Sequence, residues 1–159
     1  MNDLLSEIEN LQKKLEKDPM DADSHFRMGK LYFENWKLQE ALKAYRKVLK
    51  IQPDNAEAHF ELARVFDSLK RHEEMIDSFR EAAWLKPDWP EAHYNLGLAH
   101  LVTGNPEEAV QAFQEAVRAR PDYAEAHNGL SICYGMTGKS READTHYNEA
   151  VRLNPEFKK

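Results

Sequence analysis

Four histidines recur at one fixed spacing along the chain, at His25, His59, His93 and His127. Imidazoles in such a pattern could bind a metal ion, act as catalytic bases or serve the architecture of the fold. A metal needs ligand nitrogens about 2.0–2.1 Å away, so its ligands must converge on one point. Packed helices stand about 8–10 Å apart, so equivalent side chains of successive units do not readily converge. We therefore interpret the histidines as structural, with a pH-responsive role in packing as the alternative.

No other pattern in the sequence indicates catalysis or a cofactor. The sequence contains no HExxH or CxxC motif, phosphate-binding loop, dinucleotide fingerprint or nucleophile elbow. The one cysteine, Cys133, lies between Ile132 and Tyr134 and is predicted to be a small buried residue, not a reactive thiol. We expect a protein that is not an enzyme and that has no cofactor and no metal site.

Composition and charge exclude several classes of partner. The chain has 159 residues, 42% of them hydrophobic and 31% charged, as expected for a soluble folded domain. Its net charge of −6 argues against binding to nucleic acid or to an anionic membrane surface. No apolar run approaches the ~18 residues of a membrane span. With one cysteine and an N-terminus that lacks the features of a signal peptide, we expect a cytoplasmic protein.

The histidines belong to a repeat that involves many positions. Counting columns 1–34 from Ala22, Ala56, Pro90 and Ala124, columns 4, 7, 8 and 11 form one helical face and columns 20, 24, 27 and 28 form another. Each unit is therefore predicted to be two amphipathic helices, A and B. Column 8 is small, which allows close approach, and column 24 carries an aromatic ring to fill the space. The rings in column 24 belong to Tyr45, Phe79, Phe113 and Tyr147.

The loops carry residues that begin and end helices. Helix A is predicted to start at an aspartate followed three residues later by a glutamate, an acidic relative of the capping box. These aspartates are Asp54, Asp88 and Asp122. The turns between helices A and B carry Gly104 and Gly138, with Pro106 suited to the first turn of helix B. The first two such turns carry Trp36 and Lys70 in place of glycine.

This pattern resembles the tetratricopeptide repeat family, which is built from 34-residue helix–turn–helix units. The resemblance covers residues 22–157 without a gap and implies an all-α fold, a right-handed superhelical solenoid of antiparallel helix pairs. We divide the chain into an N-terminal capping helix at 1–21, repeats at 22–55, 56–89, 90–123 and 124–157, and a tail at 158–159.

The two ends are predicted to differ from the repeats. Residues 3–16 read as a lone helix, in which Glu7 and Lys14 occupy columns that are mostly small elsewhere. At the other end Asp144 stands where earlier repeats carry an apolar residue, which indicates the solvent end of the stack. Val151 and Leu153 remain apolar with no later helix to cover them, so the last residues are expected to fold back or a partner to bind there.

The resemblance also implies where a partner binds. In this fold the concave groove is lined by columns 2, 5, 6, 9, 12 and 13 of helix A. In the N-terminal half these positions place aromatic residues beside cations: Phe26, Arg27, Lys30, Phe33, Phe60 and Arg64. In the C-terminal half they are mostly apolar: Tyr94, Asn95, Leu98, Leu101, Val102, Ile132 and Met136. An uncovered apolar stripe indicates an interaction site, unless these residues are half-buried between neighbouring A helices.

We therefore expect a non-catalytic module that binds a peptide or helical segment of a partner protein, as an adaptor or assembly scaffold. The matching segment is apolar, with some acidic residues to meet Arg27, Lys30 and Arg64. The alternative is a self-assembling structural protein, a homo-oligomer joined through the groove or the C-terminal repeat. The carboxylate clamp of co-chaperone relatives is absent, since its positions read Phe26, Lys30, Glu61, Glu91 and Asn95.

Overall fold

The computed structural model describes residues 2–158, and the side chains of residues 5–158. Within this range it contains nine α-helices, one 3-10 turn and no strand. Consecutive helices pack against each other in pairs, so the predicted all-α fold of antiparallel helix pairs is confirmed. No helix in the described part of the chain is long and apolar enough to cross a membrane. The chain forms two compact units, Met1–Leu85 and Lys86–Lys159.

The first unit holds five helices. They are α1 (Asn2–Lys17), α2 (Ala22–Glu34), α3 (Leu38–Ile51), α4 (Ala56–Ser68) and α5 (His72–Leu85). Helix α2 pairs with α3 and α4 pairs with α5, while α1 packs on α2. Ile8 of α1 joins Met28, Leu31 and Ala44 in one buried cluster, so the capping helix predicted from residues 3–16 completes the core at this end.

The second unit holds four helices and the 3-10 turn. They are α6 (Pro90–Val102), α7 (Pro106–Ala119), α8 (Ala124–Met136), α9 (Ser140–Leu153) and the turn Pro155–Phe157. Helix α7 packs against both α6 and α8. Its Phe113 is fully buried beside Leu130, Cys133 and Tyr134, which makes it the centre of this core. The turn Pro155–Phe157 follows α9 directly and contacts it, and the expected covering of Val151 and Leu153 stays a prediction.

Glycine in column 8 lets helices A and B approach closely, as predicted. A Cβ atom added at Gly29 would lie 2.6 Å from Cε1 of Tyr45, and one added at Gly97 would lie 2.6 Å from Cε1 of Phe113. Both separations are far below van der Waals contact, so only glycine fits with the aromatic ring in place. In these two repeats the glycine of helix A and the ring of helix B are therefore a matched pair.

The predicted helix starts are one residue too early. The N-cap residues are Asn55, Trp89 and Tyr123 rather than the preceding aspartates. Oδ1 of Asn55 accepts a hydrogen bond from the backbone nitrogen of Ala58 at 2.8 Å. Trp89 and Tyr123 have no side-chain oxygen in reach of the helix, so these two starts are not capped in this way. The aspartates lie in the turn after each proline, where the backbone is not yet helical.

Two charged residues of α1 form ion pairs with the start and body of α2. Oε1 of Glu7 lies 2.7 Å from Nε of Arg27, and Nζ of Lys14 lies 2.7 Å from Oδ2 of Asp21. Hydrogen bonds from Lys14 and Ser24 lower the pKa of Asp21 well below its ordinary value. Two columns that hold mostly small residues in the complete repeats thus hold Glu7 and Lys14 in α1, and these two residues make its polar contacts with α2.

Two turns adopt a left-handed backbone without glycine. The φ angles of Trp36 and Lys70 are both 58°, close to the 78° of Gly104 and the 74° of Gly138 at the equivalent turns. Left-handed backbone costs an L-residue with a side chain about 1–2 kcal/mol. The first two turns therefore hold conformational strain that the last two avoid.

Replacing Lys70 with glycine is expected to stabilise the protein by about 1 kcal/mol, because glycine adopts this backbone without strain. The measurement is the free energy of unfolding from urea denaturation, followed by far-UV circular dichroism. Gly104→Lys is the matched reverse change, since nothing lies within 4 Å of a Cβ at that position. It should destabilise by a similar amount, and a loss of stability in Lys70→Gly would contradict the prediction.

Candidate functional site

Each of the four periodic histidines is bonded to the backbone of the preceding loop. Its Nε2 lies within hydrogen-bond distance of the carbonyl oxygen of the proline six residues earlier in the chain. The pairs are His25–Pro19 at 3.0 Å, His59–Pro53 at 2.9 Å, His93–Pro87 at 2.8 Å and His127–Pro121 at 3.0 Å. A carbonyl only accepts, so Nε2 is the protonated donor. The histidines thus satisfy loop carbonyls at the start of each helix A, as their structural interpretation requires.

No group of three or more histidine, cysteine, aspartate or glutamate side chains in the described residues is arranged to hold a metal ion. Cys133 is fully buried, as predicted. Burial raises the pKa of its thiol to about 11, which keeps it protonated at neutral pH.

The last periodic histidine makes a second contact that the others do not. Nδ1 of His127 lies 3.0 Å from Nδ1 of His146 in α9, and the His146 ring stacks on Tyr134. Because Nε2 of His127 donates to Pro121, its neutral ring accepts at Nδ1 and His146 must donate. The two facing nitrogens can share one proton but cannot both be acceptors or both be donors. Burial and the neighbouring His127 lower the pKa of His146.

We expect this pair to make stability depend on pH below about 6.5. The pKa of His146 is lower in the folded protein than in the unfolded chain, so protonation of this ring favours unfolding. The contribution of the neutral ring to stability is complete above the unfolded pKa, and it is lost as the pH falls through the folded pKa. The other groups facing the ring are Tyr134 and Glu149, and Glu149 is ion-paired with Arg152. Solvent screening of a half-exposed ring limits the effect to roughly a few tenths of a kcal/mol.

The measurement is the free energy of unfolding at several pH values between about 7 and 5, a range above the ordinary carboxylate pKa values. His146→Asn keeps an N–H donor facing His127 and removes the titrating ring. Its stability should fall less steeply with decreasing pH than that of the unmodified protein. Equal slopes would show that the pair does not contribute.

The A helices of the first unit carry what we call the basic face: Phe26, Arg27, Lys30, Phe33, Phe60 and Arg64. Its three cations differ in their pairing. Arg27 is paired with Glu7, and Nη1 of Arg64 lies 2.8 Å from Oε2 of Glu61. Lys30 forms no ion pair with any described residue. It is therefore the cation of this face that is ready to meet an acidic group.

The aromatic residues of the basic face are partly built into the core. The rings of Phe26 and Tyr45 meet edge to face with centroids 5.5 Å apart, and Phe60 meets Phe79 in the same way at 5.3 Å. Phe26 and Phe60, in column 5, thus pack against the column 24 ring of their own repeat, and both are half-buried. The packing of these two rings is therefore partly structural.

A cavity of about 360 Å³ opens between α2, α3 and α4 on the same side of the first unit. Its lining combines cations, carboxylates and aromatic rings: Lys30, Phe33, Glu34, Trp36, Tyr45, Glu61 and Arg64. The guanidinium of Arg64 lies over the ring of Phe33, with its carbon 4.8 Å from the ring centroid. This contact and the pairing with Glu61 hold Arg64 at the cavity wall.

The hydroxyl of Tyr45 is buried in this lining and has no hydrogen-bond partner among the described residues. The residue is fully buried, and burial followed by the nearby Glu61 carboxylate raises the pKa of the hydroxyl, which stays protonated. An unpaired buried hydroxyl costs roughly 1–3 kcal/mol. Tyr45 was missed as a site residue because its column reads as core. The signal was its hydroxyl, which Phe79 and Phe113 lack in the same column.

The A helices of the second unit carry what we call the apolar face: Tyr94, Asn95, Leu98, Leu101, Val102, Ile132 and Met136. The structure divides this set. Tyr94, Leu98 and Leu101 are half-buried against the core around Phe113. Val102, Ile132 and Met136 are 68%, 46% and 58% exposed. The exposed apolar surface is therefore smaller than the seven predicted residues suggest.

Two further residues of the apolar face have structural contacts. Nδ2 of Asn95 donates to the carbonyl of Glu91 in its own helix at 2.7 Å. The Tyr94 ring packs against Tyr123, the last position of its repeat, with centroids 5.1 Å apart. Burial raises the pKa of Tyr123 to about 12. Burial raises the pKa of Tyr94 as well, so both tyrosines remain neutral at physiological pH.

Comparison with solved structures shows the same fold. The crystal structure of the MamA protein matches with a TM-score of 0.88 and 22% identity, covering 98% of this chain and 85% of that one. MamA 41-end from Desulfovibrio magneticus RS-1 matches with a TM-score of 0.83 and 21% identity, covering 96% and 86%. YrrB, a TPR protein with an unusual peptide-binding site, matches with a TM-score of 0.84 and 21% identity, covering 97% and 79%. At this level of identity the likeness shows the fold alone.

Sequence models of one family account for most of the chain. One tetratricopeptide repeat model matches residues 89–156, and a second matches residues 9–55 and 26–92. No curated protein matches the chain at a significant level. The matches include the capping helix α1 in part and every later helix. The chain belongs to the tetratricopeptide repeat family.

Proposed function

We propose that this protein binds a segment of a partner protein on the exposed faces of its A helices and performs no catalysis itself. The tetratricopeptide repeat fold supports a protein–protein interaction module. In this proposal apolar side chains of the segment contact the apolar face, and acidic side chains meet the basic face. The protein then acts as an adaptor or assembly scaffold, in the reducing cytoplasm that its single cysteine favours.

The observation that carries the proposal is the exposure of Val102, Ile132 and Met136. Val102 and Met136 occupy the same column of successive repeats, and Ile132 lies one helical turn before Met136. Large apolar side chains in such a register cost solvation free energy unless a partner covers them. The peptide-binding site named for YrrB shows that this fold can hold a peptide, at 21% identity.

The test compares partners captured by the tagged protein and by two variants. Ile132→Glu with Met136→Glu places charges on the exposed part of the apolar face. Met20→Glu is the matched control, because Met20 is 63% exposed in the loop after α1 and lies on neither face. Leu98 and Leu101 are left unchanged, because their packing against the core would make their loss a folding defect.

We expect a partner that the unmodified protein and the Met20→Glu variant both retain and that the double variant loses. Identical sets from all three proteins would overturn the proposal for the apolar face. Capture of untagged copies of the chain itself would favour self-assembly, and light scattering over a concentration series would then show growth in mass. A mass that does not change with concentration would exclude self-assembly as the main role.

A further inference from the structure

An apolar cleft of about 250 Å³ opens in the first unit where α1, α2 and α3 meet. Of its lining residues, Met28 and Ala44 are buried, while Leu15 and Tyr32 are partly buried. Met28 and Tyr32 lie in columns 7 and 11 of helix A, whereas the basic face lies in columns 5, 6, 9 and 12. The cleft is therefore on a different face of α2 from the basic face.

The corresponding cleft of the second unit is polar. It is lined by Gln111, Gln114 and Lys139 beside Tyr134, which occupies the same column as Tyr32. The hydroxyl of Tyr134 accepts a hydrogen bond from Nε2 of Gln114 at 2.9 Å. The apolar lining is thus specific to the first repeat and is not imposed by the fold.

Two lysines line the apolar cleft, although the chain as a whole is acidic. Lys43 and Lys47 are exposed, and neither forms an ion pair with any described residue. They are one helical turn apart, about 6 Å along the axis of α3. Glu40 is the one carboxylate of the described lining, and it lies in the first turn of α3, where the helix dipole favours an acid.

Helix α3 also differs in charge from the other B helices. Its cations Lys43, Arg46, Lys47 and Lys50 outnumber its single acid, Glu40. Acids outnumber cations in α5, α7 and α9. Like charges one turn apart on a helix repel each other, and an acidic partner relieves that repulsion. Charge complementarity therefore favours an acidic occupant of the cleft.

The dimensions of the cleft fit the side chains of a helix. Its 250 Å³ is below the roughly 300–1,000 Å³ of small-molecule pockets, so it accommodates one or two large apolar side chains. An amphipathic helix presents such side chains at i, i+3, i+4 and i+7. Acids four residues apart on its flank match the spacing of Lys43 and Lys47. The described part of the chain has no strand, and so no sheet edge to pair with an extended segment.

We propose that the cleft where α1, α2 and α3 meet is a second interaction surface, which binds an acidic amphipathic helix of a partner protein. Apolar side chains of that helix enter the cleft beside Leu15, Met28 and Tyr32, and its carboxylates pair with Lys43 and Lys47. The inference does not rest on the proposed function, because none of these residues belongs to the basic face or the apolar face.

The probe is a fluorescently labelled peptide of about 18 residues, long enough to form a helix. Leucines at i, i+3, i+4 and i+7 form one face of this peptide, and glutamates flank them. One control peptide has glutamine in place of every glutamate. Another keeps the composition in a scrambled order, so that its leucines share no face. Fluorescence anisotropy with the full chain should show saturable binding of the probe, several-fold weaker binding of the glutamine peptide and none of the scrambled one.

Two double variants locate the bound peptide. Lys43→Glu with Lys47→Glu should weaken binding about tenfold, because two attractive charge pairs become repulsive. Arg46→Glu with Lys50→Glu is the matched control. It makes the same change in net charge with the same spacing on α3, at exposed residues that do not line the cleft. Because salt screens charges over about 8 Å, it should weaken binding by less than about threefold.

Equal weakening in these two double variants would show non-specific attraction and overturn the proposal, as would equal binding of the three peptides. Ile132→Glu with Met136→Glu should bind the probe like the unmodified chain. A loss there would place the peptide on the apolar face and overturn the cleft as its site. Growth in mass with concentration that Lys43→Glu with Lys47→Glu abolishes would make a second copy the occupant, which would overturn a separate partner.

Discussion

Replacing Phe113 with alanine is expected to lower the free energy of unfolding by about 3–5 kcal/mol. The side chain is fully buried, and its ring contacts Tyr94 and the backbone at Gly97 and Gly129. It therefore lies between α6 and α8 and contributes to the packing of both on α7. The two facing glycines have no side chains that could move into the cavity left behind, so little of the loss is recovered by relaxation.

The measurement is urea denaturation of the full chain followed by far-UV circular dichroism. Trp84→Ala is the control, because Trp84 is a large aromatic residue that is mostly exposed. A substitution at an exposed residue should change the free energy of unfolding by no more than about 0.5 kcal/mol. A loss below about 1 kcal/mol for Phe113→Ala would show that the ring does not hold these helices together.

Gly97→Ala is expected to destabilise the protein by about 1–3 kcal/mol, although alanine is the better helix former. The added Cβ atom would lie 2.6 Å from Cε1 and 2.7 Å from Cδ1 of Phe113. Because Phe113 is fully buried, its ring cannot move away without disturbing other contacts. The free-energy cost of overpacking therefore exceeds the free energy gained from the higher helix propensity of alanine.

Gly135→Ala is the matched control within the same unit. Nothing lies within 4 Å of a Cβ atom at Gly135, which is in the last turn of α8. There the change should stabilise the protein, by up to about 1 kcal/mol. Opposite signs at the two glycines would establish close packing as the cause, and a gain in stability at Gly97 would contradict it.

A double-mutant cycle tests whether Gly97 and Phe113 act as a pair. Phe113→Leu removes the ring edge that an alanine at position 97 would meet. The combined variant should then lose less stability than the sum of the single changes, by about 0.5–3 kcal/mol. Strict additivity would show that the clash at Gly97 is relieved in another way.

The sequence was sufficient for the fold because the same physical requirement recurs in every repeat. Small residues in column 8 and rings in column 24 predicted the close contacts that Gly29 makes with Tyr45 and Gly97 with Phe113. The prediction of helix starts was wrong by one residue, since Asp54, Asp88 and Asp122 lie in the turns before the caps. Cap geometry depends on local backbone angles, which residue types constrain only loosely.

The candidate site was less predictable, because exposure and pairing depend on neighbours distant in sequence. The sequence alone gives Arg27 as an unpaired cation. In the structure it is paired with Glu7 of α1, which lies 20 residues away in sequence. Leu98 and Leu101 have the same apolar character as Val102 and Met136, yet only the latter two are exposed.

The sequence by itself determined the repeat, the helix pairing and the chemistry available on the A helices. Periodicity is sufficient for these because the same columns have the same physical role in each repeat. Only the tertiary structure decided which of those side chains are available. Among the described residues it showed that Lys30 is unpaired, that the Tyr45 hydroxyl has no partner, and that His127 meets His146. Hydrogen bonds and ion pairs act over a few ångströms, so only the packed helices bring the partners that satisfy a polar group, or leave it unsatisfied.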